Sequence, residues 1–518
     1  MTYPVTYEIV VLLLYFIGII ILSFYLSKKQ KVSSESYFLA NRSASWLVVG
    51  FSLFATSISS TTLIGQIGDA YLSGFSVYNY NLTGAVVLVF FAIFLLPLYI
   101  KSRIFTIPQF LELRYDKKAR YYFSFITIIS STFLDASAAL YAGAIIFKQL
   151  LPQLSIQEIV IIFSIITALF TIPRGLSVII KIEVINAIII LISSIALAIF
   201  CFNVEWTYFI DLIQTNSDTI KLLRPAGDLI MPWTGVLFGM PILGIYFWAN
   251  NQTMVQRVLG AKNINEGRKG LLLTAILSLI AAFLITTTGI LAKELVPGVS
   301  NPDAVYPTLL FHYLPTVLRI FILLALFSTL TTTLSAIINS ASTLLTIDFY
   351  TQLKPTLTSS QKVIVGKIFS IILLVIACIW APFISKYDSL LKYYQEMLSY
   401  LAPPIVSLFI AGIFFKRVNA KGAFIGFLGS SILSVLIFLT KETYFPTIHF
   451  LNIVPFSTLF GMFLIYLSSL LFPKPSDQKL ENLLFSWDKF KNDLNSHKSY
   501  YIACLLTLML ISLCWFIF

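Results

Sequence analysis

The chain has 518 residues, of which 58% are hydrophobic and only 11% are charged, and it carries a net charge of +12. Charged residues make up about 25% of an ordinary soluble domain, so this composition excludes one. A bilayer span needs about 20 apolar residues, and we predict an all-α polytopic membrane protein with fourteen spans. In chain order they are 6–27, 44–68, 77–100, 121–149, 156–173, 183–203, 230–250, 270–292, 316–346, 363–385, 397–415, 422–440, 450–472 and 500–517.

Lysine and arginine are divided unevenly between the two sides of this topology. If the N-terminus is outside, the cytoplasmic loops and adjacent helix ends hold 27 of the 35 basic residues. This asymmetry predicts a plasma-membrane protein with both termini outside. The positive charge then reflects orientation and attraction to anionic membrane lipid, so we expect no nucleic-acid partner.

The second apolar segment contains the run FSLFATSISSTTLIG, which begins at Phe51. Serine and threonine can draw hydrogen bonds away from the helix backbone, so a dense cluster loosens the helix and frees carbonyl oxygens. Non-helical backbone at membrane depth is tolerated only where it lines a cavity or is buried in protein. The run therefore predicts a broken helix at a cation or solute site. Its hydroxyl residues are Ser52, Thr56, Ser57, Ser59, Ser60, Thr61 and Thr62.

Segment 7 also contains helix-weakening residues, namely Gly235, Gly239, Pro241 and Gly244. Proline removes a backbone donor and glycine weakens a helix, so we predict a second interruption here. Two broken helices five segments apart indicate a five-plus-five inverted repeat, with halves at about 43–203 and 230–416, around a midplane site. The alternative is that these residues only permit close helix packing.

Segment 9 places Thr329, Thr332 and Thr333 on one helix face, with Ser328 and Ser335 beside them. Neutral oxygen ligands suit a hard monovalent cation, and hydroxyls do not titrate near neutral pH. The face therefore favours sodium over a proton. The alternative is that each hydroxyl satisfies itself on the preceding helical turn.

Five stretches resemble the sodium:solute symporter family, which includes the sodium–glucose, proline, iodide and sialic acid cotransporters. The resemblance runs from about Tyr37 to Phe424 and implies a LeuT-like fold. One leading helix (1–36), a ten-helix core (37–420) and trailing helices (421–518) are then expected. The stretches are YFLANRSASW, GFSLFATSISSTTLIG, WANNQTMVQRVLGAKN, SAIINSASTLLTIDFY and APPIVSLFIAGIFFKRVNAKGAF.

The resemblance implies one sodium site and suggests a second. By motif, the first comprises Ala55, Ile58, Thr329, Thr332 and Thr333. The second would use Glu183 with Ser335. Sodium is the coupling ion, and no other cofactor is expected.

The resemblance also implies a solute pocket, but this chain departs from its relatives there. Where the sugar carriers have an asparagine and a glutamate–glutamine pair, this chain has Ser57, Thr61 and Thr62. Where they have a lysine, it has Ser278. The arginine that meets the carboxylate in sialic acid carriers becomes Asp135, which suits a polyol or an ammonium group better than an acid. The predicted solute-binding residues are Ser57, Ser59, Thr61, Thr62, Asn81, Asp135, Phe247, Ser278 and Gln395.

We therefore predict sodium-coupled symport of a small organic solute by alternating access, the solute being a sugar derivative, a polyol or a sialic-acid-like compound. One alternative is uptake of a small carboxylate, amino acid or amine. A second is proton coupling through Asp135 or Glu183. The sequence contains no phosphate-binding loop, nucleophile triad or metal cluster, so no catalytic residue and no enzyme activity are expected.

The cytoplasmic insert 474–499 carries Leu480, Leu483, Leu484 and Trp487 at helical spacing. This spacing predicts an amphipathic helix that lies in the membrane interface.

Overall fold

The computed structural model describes residues 6–28, 42–171, 176–215, 218–387 and 389–517. The predicted loop 29–36 and the start of the first family motif lie outside these ranges. Ten helices of the described residues are long and apolar enough to cross a membrane, and four shorter apolar helices complete the fourteen predicted segments. The fourteen segments are α1 (Thr6–Lys28), α2 (Trp46–Ser57 and Ser60–Ser73), α3 (Asn79–Phe90, Phe91–Leu95 and Leu96–Lys101), α4 (Lys117–Leu150), α5 (Ile156–Thr171), α6 (Leu176–Gln214), α7 (Gly235–Asn250 and Gln252–Leu259), α8 (Ile264–Leu295), α9 (Thr316–Leu353), α10 (Ser359–Lys386), α11 (Leu390–Phe414), α12 (Ala420–Tyr444), α13 (Phe450–Leu470) and α14 (Lys498–Ile517). Shorter helices follow α3 and α8, at Ile107–Arg114 and Pro302–His312.

Helix α2 is broken where the hydroxyl cluster predicts it. Ile58 leaves the helical region at φ −93°, ψ 83°, and Ser59 is extended at φ −94°, ψ 173°. The Ser59 hydroxyl accepts the backbone N–H of Thr62 at 3.4 Å and so caps the second half of the helix. The carbonyls in the last turn of the first half lose their helical partners at this break.

Helix α7 is also broken, but not at the residues that suggested the break. The chain becomes extended at Asn251 (φ −71°, ψ 123°), after the last of the four glycine and proline residues. Pro241 follows a wide π-helical turn, Gly235–Gly239, at the start of a short α-helical stretch, where its missing N–H does not end the helix. Asn251 instead caps the second half, because its side chain accepts the backbone N–H of Thr253 at 2.8 Å.

The core helices pack as two groups. Helices α2, α3, α7 and α8 pack against one another, and α4, α5, α9 and α10 form the second group. Helix α6 contacts α2, α8 and α9, while α11 contacts α2, α4 and α7. The broken regions of α2 and α7 therefore lie between the two groups.

The insert 474–499 differs from the predicted single interfacial helix. It forms two short helices, Asp477–Leu480 and Trp487–Ser496, and the backbone N–H of Phe485 donates to the Ile413 carbonyl at 3.1 Å. The three leucines are buried by protein instead of facing lipid, whereas Trp487 is 65% exposed. The prediction was wrong because helical spacing cannot tell which surface covers an apolar face.

The second of these short helices is held by Arg268 at the start of α8. The guanidinium donates to both oxygens of Asp493, at 3.0 and 2.6 Å, and the Tyr501 hydroxyl donates to the same carboxylate at 2.5 Å. Burial alone would raise the pKa of Asp493, but these hydrogen bonds outweigh burial and lower it. A carboxylate with a lowered pKa in the folded state stabilises that state above its unfolded pKa, and the contribution is lost as the pH falls through the folded value.

Asp493→Asn is therefore expected to lower the free energy of unfolding by about 1.5–3 kcal/mol at neutral pH, since hydrogen bonds to charged groups contribute about that much. The wild-type protein should also lose stability as the pH falls below about 4, and the variant should lose less. Melting temperature in detergent across a pH series measures both effects. Asp218→Asn is the control, because Asp218 pairs with Lys221 at the surface and its side chain is 87% exposed. Equal melting curves for the two variants would contradict the assigned role.

Candidate solute and cation site

A buried cavity of about 170 Å³ lies between the broken helices. All nine predicted solute-binding residues line it. They come from six of the core helices, namely α2, α3, α4, α7, α8 and α11, with Ser59 at the break in α2. The sequence therefore predicted a set of residues that the fold brings together, and these are Ser57, Ser59, Thr61, Thr62, Asn81, Asp135, Phe247, Ser278 and Gln395.

A larger cavity of about 840 Å³, which we call the vestibule, adjoins the first, central cavity on the side predicted to be outside. The two cavities share Val77, Tyr80, Leu391 and Gln395, so these residues form the boundary between the vestibule and the central cavity. Burial lowers the pKa of His449 in the vestibule wall to about 4, so this ring is uncharged at neutral pH.

Asp135 faces the central cavity from a π-helical stretch of α4, Ser130–Ala136. Such stretches distort the helix locally and are frequent at functional sites. The Tyr394 hydroxyl donates to Asp135 Oδ1 at 2.9 Å, and Asn251 is a second hydrogen-bond partner. Three helices thus meet at this carboxylate, namely α4, α7 and α11.

Asn81 stands on α3, held by a glutamine from the second half of α2. Gln66 Nε2 donates to Asn81 Oδ1 at 3.1 Å and to Thr286 Oγ1 at 2.8 Å. The Ser278 hydroxyl is buried, lines the cavity and has no hydrogen-bond partner among the described residues. The wall therefore presents both fixed amides and an unsatisfied hydroxyl.

Phe247 lies in the wall formed by α7, within the π-helical turn Ile245–Asn250. Its ring packs edge-on against Trp248 at 5.0 Å between centroids. The pair closes the side of the cavity next to Gly84 of α3, where a Cβ atom would lie 3.0 Å from the Trp248 Nε1 atom.

The residues of the predicted first sodium site lie on α2 and α9, which contact each other. Ala55, Ile58, Thr329, Thr332 and Thr333 are all buried. Thr329 and Thr332 donate to carbonyls one turn earlier, at 2.7 and 2.8 Å, as the alternative interpretation of segment 9 expects. A hydroxyl that donates still has lone pairs for a cation. The Thr333 hydroxyl, which lines the central cavity, has no partner among the described residues.

Glu183, a predicted ligand of the second sodium site, is paired with an arginine. Both carboxylate oxygens of Glu183 face Arg257 of α7, with Oε1 at 2.5 Å from Nη2 and Oε2 at 3.2 Å from Nε. Ser52 and Thr56 also donate to this carboxylate. Ser335 donates to the Thr331 carbonyl at 2.6 Å. The negative charge that a second ion would need is already paired.

Sequence reasoning missed four residues that shape the site. Asn251 and Tyr394 hold Asp135, Gln66 holds Asn81, and Arg257 neutralises Glu183. Tyr394 directly precedes Gln395, and Asn251 directly follows the interrupted segment, so their proximity in sequence was the available signal. Nothing in the sequence pattern pairs Arg257 with Glu183, which lies 74 positions away.

Comparison with known proteins identifies relatives of this chain. A model of the sodium:solute symporter family matches residues 37–429. The human sodium/myo-inositol cotransporter 2 is 31% identical over 467 residues, which cover 83% of this chain and 69% of the relative. The rabbit sodium/glucose cotransporter 1 is 29% identical over 480 residues, covering 84% and 72%.

Solved structures with the same fold include two transporters. A Na⁺-coupled sialic acid symporter in a substrate-bound outward-open state matches with a TM-score of 0.80 at 20% identity, covering 90% of this chain and 98% of that one. Mhp1, a nucleobase-cation-symport-1 family transporter, matches with a TM-score of 0.57 at 15% identity, covering 88% and 99%. The fold is therefore LeuT-like, as the resemblance implied.

Proposed function

The chain belongs to the sodium:solute symporter family, and on this premise we propose that its solute is a small polyhydroxylated molecule bound in the central cavity. The protein is a multi-pass membrane transporter that couples solute uptake to sodium, and it is not an enzyme. One observation carries the proposal. The nine residues predicted to bind solute line one buried cavity, and two predicted sodium ligands, Ile58 and Thr333, line it too.

The coupling ion binds between α2 and α9 in this proposal. Carbonyls freed by the break at Ile58 and the hydroxyls of Thr332 and Thr333 supply neutral oxygen ligands, which suit sodium. Support comes from the burial of all five predicted ligands and from the unpartnered Thr333 hydroxyl. Because Thr333 and Ile58 also face the solute cavity, bound sodium would order one wall of it.

Neutral polar groups dominate the polar part of the solute cavity. Hydroxyls from α2 and α8 and amides from Asn81 and Gln395 line it, and such groups bind the hydroxyls of a cyclitol or sugar. The human and rabbit relatives are named for myo-inositol and glucose. The alternative that the solute is a small carboxylate is disfavoured, because the Asp135 carboxylate would repel an anionic solute.

Transport proceeds by alternating access in this proposal. Sodium and solute enter through the vestibule, the group α2, α3, α7 and α8 rocks against the group α4, α5, α9 and α10, and both ligands leave on the other side. We further propose that the protein lies in the plasma membrane, with both termini outside and lipid covering the exposed apolar helix faces. Sodium bound first tightens solute binding, and the reverse follows by linkage.

Proton coupling is a second candidate because Asp135 is an ionisable group that faces the cavity. The other acidic candidate, Glu183, is paired with Arg257 and does not face the cavity. A proton-coupled carrier would retain uptake when sodium is absent and lose it when the pH gradient is removed.

Uptake into proteoliposomes tests the proposal. Tritiated myo-inositol and glucose are offered with an inward sodium gradient, with choline replacing sodium at fixed pH, and with a pH gradient alone. We expect uptake of at least one solute only with sodium. Uptake that persists in choline and follows the pH gradient would replace the sodium proposal with the proton-coupled candidate. Sialic acid is offered under the same conditions, and its uptake in place of both neutral solutes would contradict the argument that Asp135 repels an anionic solute.

A further inference from the structure

The central cavity has one charged side chain among its described lining residues, that of Asp135. Two lysines, Lys392 and Lys441, line the vestibule and not the central cavity. The cavity that receives the solute is therefore negative at one defined point and otherwise neutral.

The protein holds the Asp135 carboxylate in place but does not neutralise it. Its hydrogen-bond partners, Tyr394 and Asn251, are both uncharged. None of the ion pairs within the described residues includes Asp135, whereas the buried carboxylates of Glu183 and Asp348 face Arg257 and Arg120. Two neutral hydrogen bonds offset only part of the cost of burying a carboxylate, and a counter-charge within contact distance offsets much more.

A counter-charge on the solute would complete this site. A protonated amine donates up to three hydrogen bonds and carries a positive charge, which no described side chain of the cavity wall supplies. Hydrogen bonds between charged partners are stronger than those of a hydroxyl on a carboxylate. On electrostatic grounds, an amine should therefore bind beside Asp135 more tightly than a hydroxyl, and a hydroxyl more tightly than an acid.

The remainder of the wall suits the hydroxyls of the same molecule. The hydroxyls of Thr253 and Ser278 are more than nine-tenths buried, line the cavity and have no partner among the described residues. Buried polar groups are normally satisfied, so unpartnered ones in a cavity wall indicate a polar ligand. These two hydroxyls stand on α7 and α8, whereas Asp135 stands on α4.

We infer that the solute is an amino polyol, an amino sugar or aminocyclitol with a free amine, whose ammonium group pairs with Asp135. This inference rests on the proposed sodium-coupled uptake of a polyhydroxylated solute and deepens it. Tyr394 is a positioning residue, because its hydroxyl fixes the carboxylate oxygen that meets the amine.

Matched solutes test the amine directly in proteoliposomes with an inward sodium gradient. One set is glucosamine, glucose and N-acetylglucosamine, and the other is an inosamine with myo-inositol, at a pH where the amine is protonated. In at least one set, we expect the amine to have a KM at least about tenfold lower than its hydroxyl analogue. N-acetylation removes the charge and should abolish the advantage. Equal or weaker affinity of the amine in both sets would overturn the inference.

Variants separate the charge from the shape of the pocket. Asp135→Asn is expected to bring the ratio of the KM for the neutral analogue to the KM for the amine down to about one, and a preference that survives would contradict the pairing. Tyr394→Phe should raise the KM for the amine severalfold with little change in kcat or in the sodium requirement. Tyr393→Phe is the matched control, since its neighbouring hydroxyl donates to the Phe133 carbonyl and not to Asp135.

The same experiment distinguishes failure of this inference from failure of the proposed function. Sodium-dependent uptake of myo-inositol or glucose without any amine advantage would overturn the inference alone. Loss of sodium dependence for every solute would overturn the proposed function and the inference with it.

Discussion

Arg257→Leu is expected to lower the free energy of unfolding by about 3–5 kcal/mol, which is the cost of leaving one member of a buried ion pair without its partner. Arg257 and Glu183 are both essentially inaccessible to solvent, and their closest atoms are 2.5 Å apart. The variant would leave the Glu183 carboxylate with only the Ser52 and Thr56 hydroxyls as donors. Melting temperature in detergent and the yield of monodisperse protein measure the effect.

Removing both charges should restore most of that stability. In Glu183→Gln with Arg257→Met, the amide oxygen still accepts from Ser52 and no unpaired charge remains. Glu442→Gln is the control for loss of an exposed pair, because Glu442 faces Lys441 with its side chain 78% exposed. The prediction fails if the double variant is as unstable as Arg257→Leu, or if Arg257→Leu melts with the control.

The Arg257–Glu183 ion pair also bears on the number of sodium ions transported with each solute molecule. It joins α6 to α7, while Ser52 and Thr56 bring α2 to the same carboxylate. A sodium ion at Glu183 would have to compete with a guanidinium that is already in contact. The geometry therefore favours one sodium ion per solute, and the inward movement of that charge is favoured by about 2.3 kcal/mol per 100 mV.

The sequence predicted the features that depend on local chemistry. Hydroxyls crowded around Ile58 weaken a helix wherever they occur, so the break in α2 was correctly placed. Fourteen apolar segments became helices for the same local reason, because a backbone in lipid must satisfy its own hydrogen bonds. The residues of the solute cavity followed from motif positions on those helices.

Features that depend on distant partners were missed or misplaced. The break in α7 was expected from Gly and Pro residues, but it occurs at Asn251, whose side chain caps the next helix and reaches Asp135 on α4. The leucines of the insert were assigned to the membrane interface because spacing alone does not reveal that protein buries them. The Asp135 contact and the packing of the insert join residues that are far apart in sequence, whereas the Asn251 cap is a local contact with Thr253 that the Gly and Pro pattern did not indicate.

The double variant Thr332→Ala with Thr333→Ala is expected to raise the sodium concentration needed for half-maximal uptake by at least about tenfold. The hydroxyls are two of the five proposed ligands, and a hydrogen-bonding group facing a charge contributes about 1.5–3 kcal/mol. By linkage, the solute affinity at a fixed low sodium concentration should fall as well, and high sodium should restore it. Uptake titrated with sodium at several solute concentrations measures both effects.

Two further variants show whether a loss of sodium affinity comes from the ligands or from damage to α9. Thr332→Ser with Thr333→Ser keeps both hydroxyls and should keep the wild-type sodium requirement. Thr331→Ala removes a neighbouring hydroxyl that donates to the Phe327 carbonyl at 3.0 Å and is not a proposed ligand, so its sodium requirement should also be unchanged. If Thr331→Ala shifted the sodium requirement as much as the double alanine variant, the effect would belong to helix packing, and the proposed sodium site would have to be sought elsewhere. If only the double alanine variant shifts it, the ion is bound where α2 breaks against α9, and the coupling of sodium to solute follows from the cavity wall that the two sites share.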